Sequence, residues 1–530
     1  MTQAESEHHG ITRAAGAISS GVLVSRVLGF VRDMIIAKFF GAGMAADAFF
    51  VAFRIPNMLR ELFGEGALSA SFIPVFTETL NRKGREEAWR IARITGTALS
   101  SILFLIVTLG IAIAPLVVWV MAPGFHLYPE KMRLTILLTR ITFPYLFFVG
   151  IASLFMGILN SFRHFTTPAF APTMLNLAMI FSALFLSPYV NPPIASLAIG
   201  VLLGGIGQMA IQIPGLRREG ARFSFDFQPQ DPGVRKIGRL MLPGIIGLAI
   251  TQANFFVGTF LASFLKQGSV SFLYYSFRLI QIPIGLVGVA LGSAILPFLS
   301  SSATEGSYLE LKRITSLALR LGFFITVPFT AGLILFRRPL VSVLFERGQF
   351  TELMSQEVAG TLLFLAFGIC FYVGDRIVVS AFYSLQDTKT PVAISAVAVA
   401  TDIGFSLLLM GPLQVRGLAL ATSIASFVHF CLLMGILRKK IGPLRERELL
   451  GSLLRISLST IPLVLLCYAM LRGFPPLAQA HLAGKVGILT LEILIGMGSY
   501  LGAACLLRSQ EVHSLVSSVR NRLRGAQGRP

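Results

Sequence analysis

The chain has 530 residues, 54% of them hydrophobic and only 13% charged, with 44 Phe and 50 Gly and a mean hydropathy of +0.75. A soluble chain of this length would form about three or four domains and carry roughly 25% charged residues, so the composition excludes a soluble protein and leaves a polytopic membrane protein. The net charge of +20 sits mostly in short connectors between apolar runs, a pattern that fits membrane topology and anionic lipid rather than nucleic acid.

Residues 1–16 read as a polar tail. The apolar run behind them is interrupted by Arg26, Arg32 and Asp33, which the uninterrupted core of a cleavable signal peptide does not allow. Stretches long enough to cross about 30 Å of hydrocarbon lie near 17–40, 46–79, 91–121, 134–159, 168–187, 193–216 and 238–264. They continue near 270–299, 314–336, 355–383, 391–410, 416–437, 450–471 and 486–507. About fourteen transmembrane helices are therefore expected. No β-barrel alternation is visible, and lipid admits no other spanning structure.

The tails and even-numbered loops carry about 26 Lys and Arg against about 9 in the odd-numbered loops, which puts both termini in the cytoplasm. No loop is much longer than about 25 residues, so no extramembrane domain is expected. Cys370, Cys431, Cys467 and Cys505 all fall in apolar stretches without CxxC spacing and read as buried packing residues. Walker A, HExxH and metal-type His/Cys/carboxylate spacings are absent, so the reading is a protein that is not an enzyme and needs no metal or other cofactor.

Segments recur at an offset of about 220 residues. Arg93–Thr95 with Ala98-Leu99 matches Arg313–Thr315 with Ala318-Leu319, Phe53-Arg54 matches Phe277-Arg278, and Leu216-Arg217 matches Leu437-Arg438. An even number of spans keeps both copies in one orientation, a parallel repeat. The expected division is a tail over 1–16, an N-lobe over 17–220, a C-lobe over 221–440, two further helices over 441–510 and a basic tail over 511–530. The substrate site of such a fold is expected between the lobes, near mid-membrane.

Charged residues inside the spans are the candidate site. Arg26, Arg32 and Asp33 fall in the first, Asp47, Arg54, Arg60, Glu61 and Glu65 in the second, and Arg278 in the eighth. Each costs about 2.5–3.5 kcal/mol at mid-helix, so they should face a water-filled cavity. Arg26 and Asp33 are seven residues apart, as are Asp47 and Arg54, which places each pair nearly on one helical face. Structural ion pairs are the plain alternative, but arginines outnumber the nearby carboxylates, and forked guanidinium groups suit phosphate. Pro56, Pro74, Pro283 and Pro297 mark the second and eighth spans as kinked, and Gly29, Gly64 and Gly66 read as close-packing positions.

At these residues the chain resembles the MurJ (MviN) family of lipid II flippases. The resemblance is carried by SRVLGFVRDMIIAKFFGAG (Ser25–Gly43), DAFFVAFRIPNMLRELFGEGALSASFIPVFTE (Asp47–Glu78), YYSFRLIQIPIGLVGVALGSAILP (Tyr274–Pro297) and FYSLQDTKTPV (Phe382–Val392). It implies translocation of lipid II, the undecaprenyl-diphosphate-linked peptidoglycan precursor, from the inner to the outer leaflet of the bacterial cytoplasmic membrane. It also implies a cationic cavity in which Arg26, Arg32, Arg60 and Arg278 bind the diphosphate, with Asp33 and Asp47 as acidic partners. Arg54 and Glu65 are read with them as gating charges. The last two helices are implied to form a groove for the polyprenyl tail. Lipid II, anionic membrane lipids and cell-wall synthesis enzymes are the implied partners.

For coupling, Na⁺ or the membrane potential are the candidates. Some members place sodium among C-lobe helices with an amide and a carboxylate four residues apart. Asp402 is the one obvious mid-helix carboxylate here, and Ala398 and Ser406 stand one turn away, so that pair is missing. The competing readings are a multidrug or lipid-linked oligosaccharide exporter of the same superfamily, a scaffold for envelope-building enzymes, and an integral-membrane glycosyltransferase. Cysteines introduced at Asn191 should label from outside the cell and at Gly220 only from the cytoplasm; the reverse pattern would overturn the orientation.

Overall fold

The computed structural model describes residues 3–61, 68–221, 224–228, 230–473 and 482–512. Where described, each of the fourteen expected stretches is mainly helical, and no strand occurs among the described residues. α1 is Gln3–Phe40, α2 is Met44–Arg60 with Ser69–Lys83, α3 is Arg85–Ala112 with Ala114–Met121, and α4 is Pro129–Thr142 with Tyr145–Ser161. α5 is Thr166–Phe181 with Ser182–Leu186, α6 is Ala195–Ala210 with Ile213–Arg218, and α7 is Pro232–Ala262. α8 joins Ser269–Pro283, Ile284–Val289 and Ala290–Thr304, α9 is Tyr308–Phe345, and α10 is Glu352–Ala366 with Ile369–Ser384. α11 is Lys389–Leu413, α12 Val415–Ile441, α13 Glu446–Gly473 and α14 Leu482–Leu506. By length and apolar composition alone, 10 helices qualify as spans among the described residues, or 11 when bent α10 is counted as one.

The second and eighth spans depart from the simple proline-kink expectation. α2 is described as Met44–Arg60 and Ser69–Lys83; Gly64, Glu65 and Gly66 lie between them, outside the described residues. Pro56, Pro74 and Pro297 sit inside regular helix. Of the four prolines only Pro283 stands at an irregularity, the wide-turn segment Ile284–Val289, where the N–H that proline lacks leaves a carbonyl unclaimed. The cysteines differ too: all four are free, Cys467 is buried, Cys370 is half-buried, and Cys431 and Cys505 are exposed.

The duplication is visible in the backbone. Gly84 and Gly306, Gly220 and Gly442, and the non-glycine pair Arg163 and Gln386 all have positive φ. The two non-glycine turns close alike, His164 N donating to Leu159 O at 2.8 Å and Asp387 N to Phe382 O at 3.0 Å. Each turn is then latched by a contact between an acidic and a basic side chain, with the two types exchanged between the copies. In the first copy His164 and Arg85 meet Glu219. In the second, Asp387 meets Lys440. The Lys440 ammonium and the Thr390 hydroxyl and N–H hold the Asp387 carboxyl well below the usual carboxylate range.

Packing divides the chain into two compact units, Met1–Ser271 with Arg347–Thr351, and Phe272–Glu346 with Glu352–Pro530. This division falls one helix later than the lobe boundary expected from the repeat, because α7 packs on α2 and α3. In the first unit α5 lies against α1 and α6, and α4 against α2, α3 and α6. Gln349 N donates to Lys38 O at 2.9 Å, capping a carbonyl at the end of α1. Gly348 is required there: its φ is +58°, and a Cβ would lie 2.3 Å from Lys38 O.

In the second unit α9 lies against α8, α10 and α13, α12 against α10 and α11, and α14 against α13 and α9. Lipid tails are as apolar as leucine, so contact quality rather than escape from water holds such helices together. The tightest approach is at Gly417, where a Cβ would sit 2.2 Å from the carbonyl oxygen of Leu409. Backbone cannot move aside as a side chain does. Gly417→Ala should therefore cost about 1–3 kcal/mol, read as a lowered Tm in detergent; an unchanged Tm would show that α11 and α12 pack less closely.

Candidate functional site

Arg32 and Asp33 are buried where α1 meets α5, with Asp33 wholly inaccessible. The guanidinium donates from Nε and Nη2 to Asp33 Oδ1 at 3.0 and 2.7 Å, and from Nη1 to Asn176 Oδ1 at 3.1 Å. Asn176 in turn donates to Ser25 O at 2.9 Å. Arg32 is thus neutralised by its own neighbour and oriented by an amide from α5. Arg26 does share a face with Asp33, but seven residues of helix put it about 10.5 Å away, and its side chain is exposed.

Asp47 does not pair with Arg54. Its partner is Lys131 at the start of α4, with Nζ 2.7 Å from Oδ2 and both side chains at most 2% exposed. The same carboxylate accepts from Gly268 N at 2.7 Å, Ser271 N at 2.8 Å and Ser271 Oγ at 2.7 Å. Lys131 Nζ also stands 3.9 Å from the centroid of the Phe125 ring. A buried charge is tolerated when it is paired and its remaining lone pairs are satisfied, and Asp47 meets both conditions. Arg54 donates to Phe255 O at 3.1 Å and Thr259 Oγ1 at 2.9 Å, with the Phe255 ring 5.2 Å from its guanidinium carbon. Two neutral acceptors and an aromatic face are thus among its contacts.

Arg60 is half-buried at the end of the first segment of α2. Its Nε donates to Asn57 Oδ1 at 3.2 Å, and Nη2 lies 3.7 Å from Glu61 Oε1. Glu61 also accepts from Asn57 Nδ2 at 3.1 Å and from Gln252 of α7. In the second unit, Arg278 is half-buried and reaches Gln281 Oε1 at 3.5 Å.

Asp402 is 4% exposed and lies on one buried stripe of α11 with Ile394, Ala398 and Ser406. Its Oδ1 has no hydrogen-bond partner among the described residues. No group of three or more His, Cys, Asp or Glu that could hold a metal ion occurs among them either.

Three charged side chains escaped the sequence reading. Lys131 falls in a connector of the sequence, and a partner 84 residues away leaves no local signal. Asp402 is not the one mid-helix carboxylate of the later spans: Asp375 in α10 and Glu492 in α14 are buried as well. Both stand in the middle of apolar stretches, which was signal enough. Lys131→Ala strands Asp47 without a cation and should cost about 3–5 kcal/mol. Asp47→Asn combined with Lys131→Met should cost much less, read as Tm in detergent; equal losses in the two variants would show that the pair is not charged.

The matching family model is described as lipid II flippase MurJ and spans residues 36–481. That span starts beyond Arg26, Arg32 and Asp33 and includes Asp47, Arg54, Arg60, Arg278 and Asp402. A probable lipid II flippase MurJ from Vibrio cholerae serotype O1 is 38% identical over 426 residues, covering 78% of this chain and 81% of its own. The lipid II flippase MurJ of Burkholderia cenocepacia is 35% identical over 433 residues, covering 81% and 84%. Among solved structures, a lipid II flippase MurJ in an inward closed conformation superposes with a TM-score of 0.78 at 26% identity, over 92% of this chain and 98% of that one. An inward-facing multidrug resistance MATE family transporter of the MOP superfamily gives 0.66 at 14% identity, over 82% and 99%, a likeness of fold alone. On the length and identity of these matches, this polytopic, all-helical membrane chain belongs to the family described as lipid II flippase MurJ.

Proposed function

We propose that the protein translocates lipid II from the inner to the outer leaflet of the bacterial cytoplasmic membrane by alternating access, supplying the precursor for cell-wall synthesis. The family match over residues 36–481 carries this reading. In it Arg26, Arg32, Arg60 and Arg278 line the cavity that receives the diphosphate. A diphosphate brings about two negative charges and favours several forked donors in a desolvated site. Both termini face the cytoplasm in this scheme. The exposed apolar side chains of α13 and α14, such as Leu454, Leu465, Leu494 and Met497, take the polyprenyl tail.

The protein partners of the arginines suggest how the substrate is released. Arg32 already holds Asp33, and Arg60 already lies beside Glu61. Binding the diphosphate then exchanges one anion for another instead of filling an empty cationic site. The displaced carboxylate stays beside the bound diphosphate, and the repulsion between the two anions favours release of the cargo, after which the carboxylate takes the guanidinium back.

Purified protein in vesicles loaded with lipid II on one side should expose it on the other. Arg26→Ala, Arg32→Ala, Arg60→Ala and Arg278→Ala should each slow this about tenfold or more, as expected for a charge-assisted hydrogen bond worth about 1.5–3 kcal/mol. Lysine should restore only part of the rate. Full activity in two or more alanine variants would refute the arginine cavity, and an inactive wild type would refute the flippase itself.

A further inference from the structure

The second unit contains a group of buried titratable side chains that the transport scheme leaves unused. α10 is bent by 43° between Glu352–Ala366 and Ile369–Ser384, and α12 packs against both halves. Ser423 of α12 covers the break by donating to the carbonyls of Phe364 and Leu365 at 2.6 and 3.4 Å. Beyond the break, Asp375 is 9% exposed and meets His429 of α12, with Oδ2 3.1 Å from Nδ1. The two helices touch closely at this level: a Cβ on Gly374 would fall 2.5 Å from the Phe430 ring. The other oxygen of Asp375 is buried without a hydrogen-bond partner among the described residues.

The far side of the imidazole meets a hydroxyl of α11. His429 Nε2 is 3.3 Å from Ser395 Oγ of α11, and Ser395 donates its own hydrogen to Pro391 O at 2.8 Å. With that hydrogen given to Pro391, the hydroxyl oxygen is an acceptor, and the tautomer it favours has its hydrogen on Nε2. Nδ1 and the carboxylate then face one another as two acceptors unless a further hydrogen lies between them. A single removable proton satisfies both. Without it, a lone pair would press against a carboxylate in a low-dielectric interior, and the contact between α10 and α12 would open.

The surroundings favour a proton over a metal. Ile284–Val289 and Ala290–Thr304 of α8 pack against α10 and contribute no titratable side chain. On α9 the buried charge is Arg320, and Glu511 holds it at 2.6 Å. The charges acting on Asp375 are His429 and, from its own helix, the exposed Arg376. Tyr372 and Cys431 are its uncharged titratable neighbours, and Asp402 acts on Tyr372 from α11. No metal-type cluster occurs among the described residues. An imidazole nitrogen also occupies the side of Oδ2 where a hard cation would need oxygen.

We propose that Asp375 and His429 form a proton-binding site in which one removable proton bridges Oδ2 and Nδ1 and holds α10 to α12. Its consequence for transport rests on the flippase reading: a proton gradient would bias a conformational step that opens this contact. The site is tested in protein carrying isotope-labelled histidine in nanodiscs, where the His429 imidazole signal is the one absent from His429→Gln. That signal should move between about pH 5 and about pH 9, change its titration in Asp375→Asn, and stay in place when about 100 mM Na⁺ is added at fixed pH.

A signal that ignores pH, that is indifferent to Asp375→Asn, or that Na⁺ displaces would overturn the proposal. Should Asp375→Asn fail to fold, Ser395→Ala removes the acceptor at Nε2 and must alter the tautomer balance read at His429; no change there counts against the pair. In lipid II vesicles, a gradient of about one pH unit, tenfold in proton activity, should change the wild-type rate about threefold or more and the His429→Gln rate less than about 1.5-fold. A wild type that flips lipid II without responding to the gradient overturns the coupling. A wild type that flips nothing overturns the transport reading, while the nitrogen signal still decides the proton site.

Discussion

A bilayer core offers no hydrogen-bond partner to a backbone group or a charge, and the rest of this structure follows from that constraint. The backbone answers with helices throughout the described residues. The charges answer with partners brought from elsewhere in the chain: Lys131 for Asp47, 84 residues away, and Asn176 for Arg32, 144 residues away. Where a helix breaks, a neighbour covers the freed groups, as Ser423 does for α10. The Asp47–Lys131 and Arg32–Asn176 bonds therefore each fix a contact between two helices.

The duplicated latches show which features that constraint holds and which it leaves open. Both copies turn through a non-glycine residue of positive φ, Arg163 or Gln386. Both tie the turn to the end of a helix two spans later through a contact between an acidic and a basic side chain, yet acid and base have changed places. Position and pairing persist while polarity does not. Geometry at this end of the helices matters more than the sign of any one charge. Arg32, Asp33 and Asp47 have no such freedom, because each is matched to a particular buried partner.

Much of the fold was legible because apolar length and turn chemistry are local signals. Fourteen stretches, their order and the repeat offset could be read before any coordinates. The irregularities could not: nothing local marks Pro283 as standing at a wide turn while Pro56 and Pro74 continue in regular helix. The site was half legible. Charged residues inside apolar runs announced themselves, and Arg32, Asp33 and Asp47 are indeed buried. Their partners were hidden, since a seven-residue spacing places Asp47 and Arg54 on one face but does not say whether something nearer competes. Lys131 does for Asp47, and Phe255 and Thr259 do for Arg54.

The central claim is that the substrate's diphosphate takes over guanidinium groups that protein anions hold in its absence. Asp33 is the sharpest test, because both of its bonds to Arg32 reach one carboxylate oxygen. The measurement is lipid II affinity beside lipid II translocation in Asp33→Asn. If the carboxylate competes with the diphosphate, the variant binds lipid II as tightly as the wild type or more tightly and translocates it slowly, since release loses its replacement anion. Affinity and translocation falling together, with a lowered Tm, would contradict the exchange and return Asp33 to a structural counter-ion.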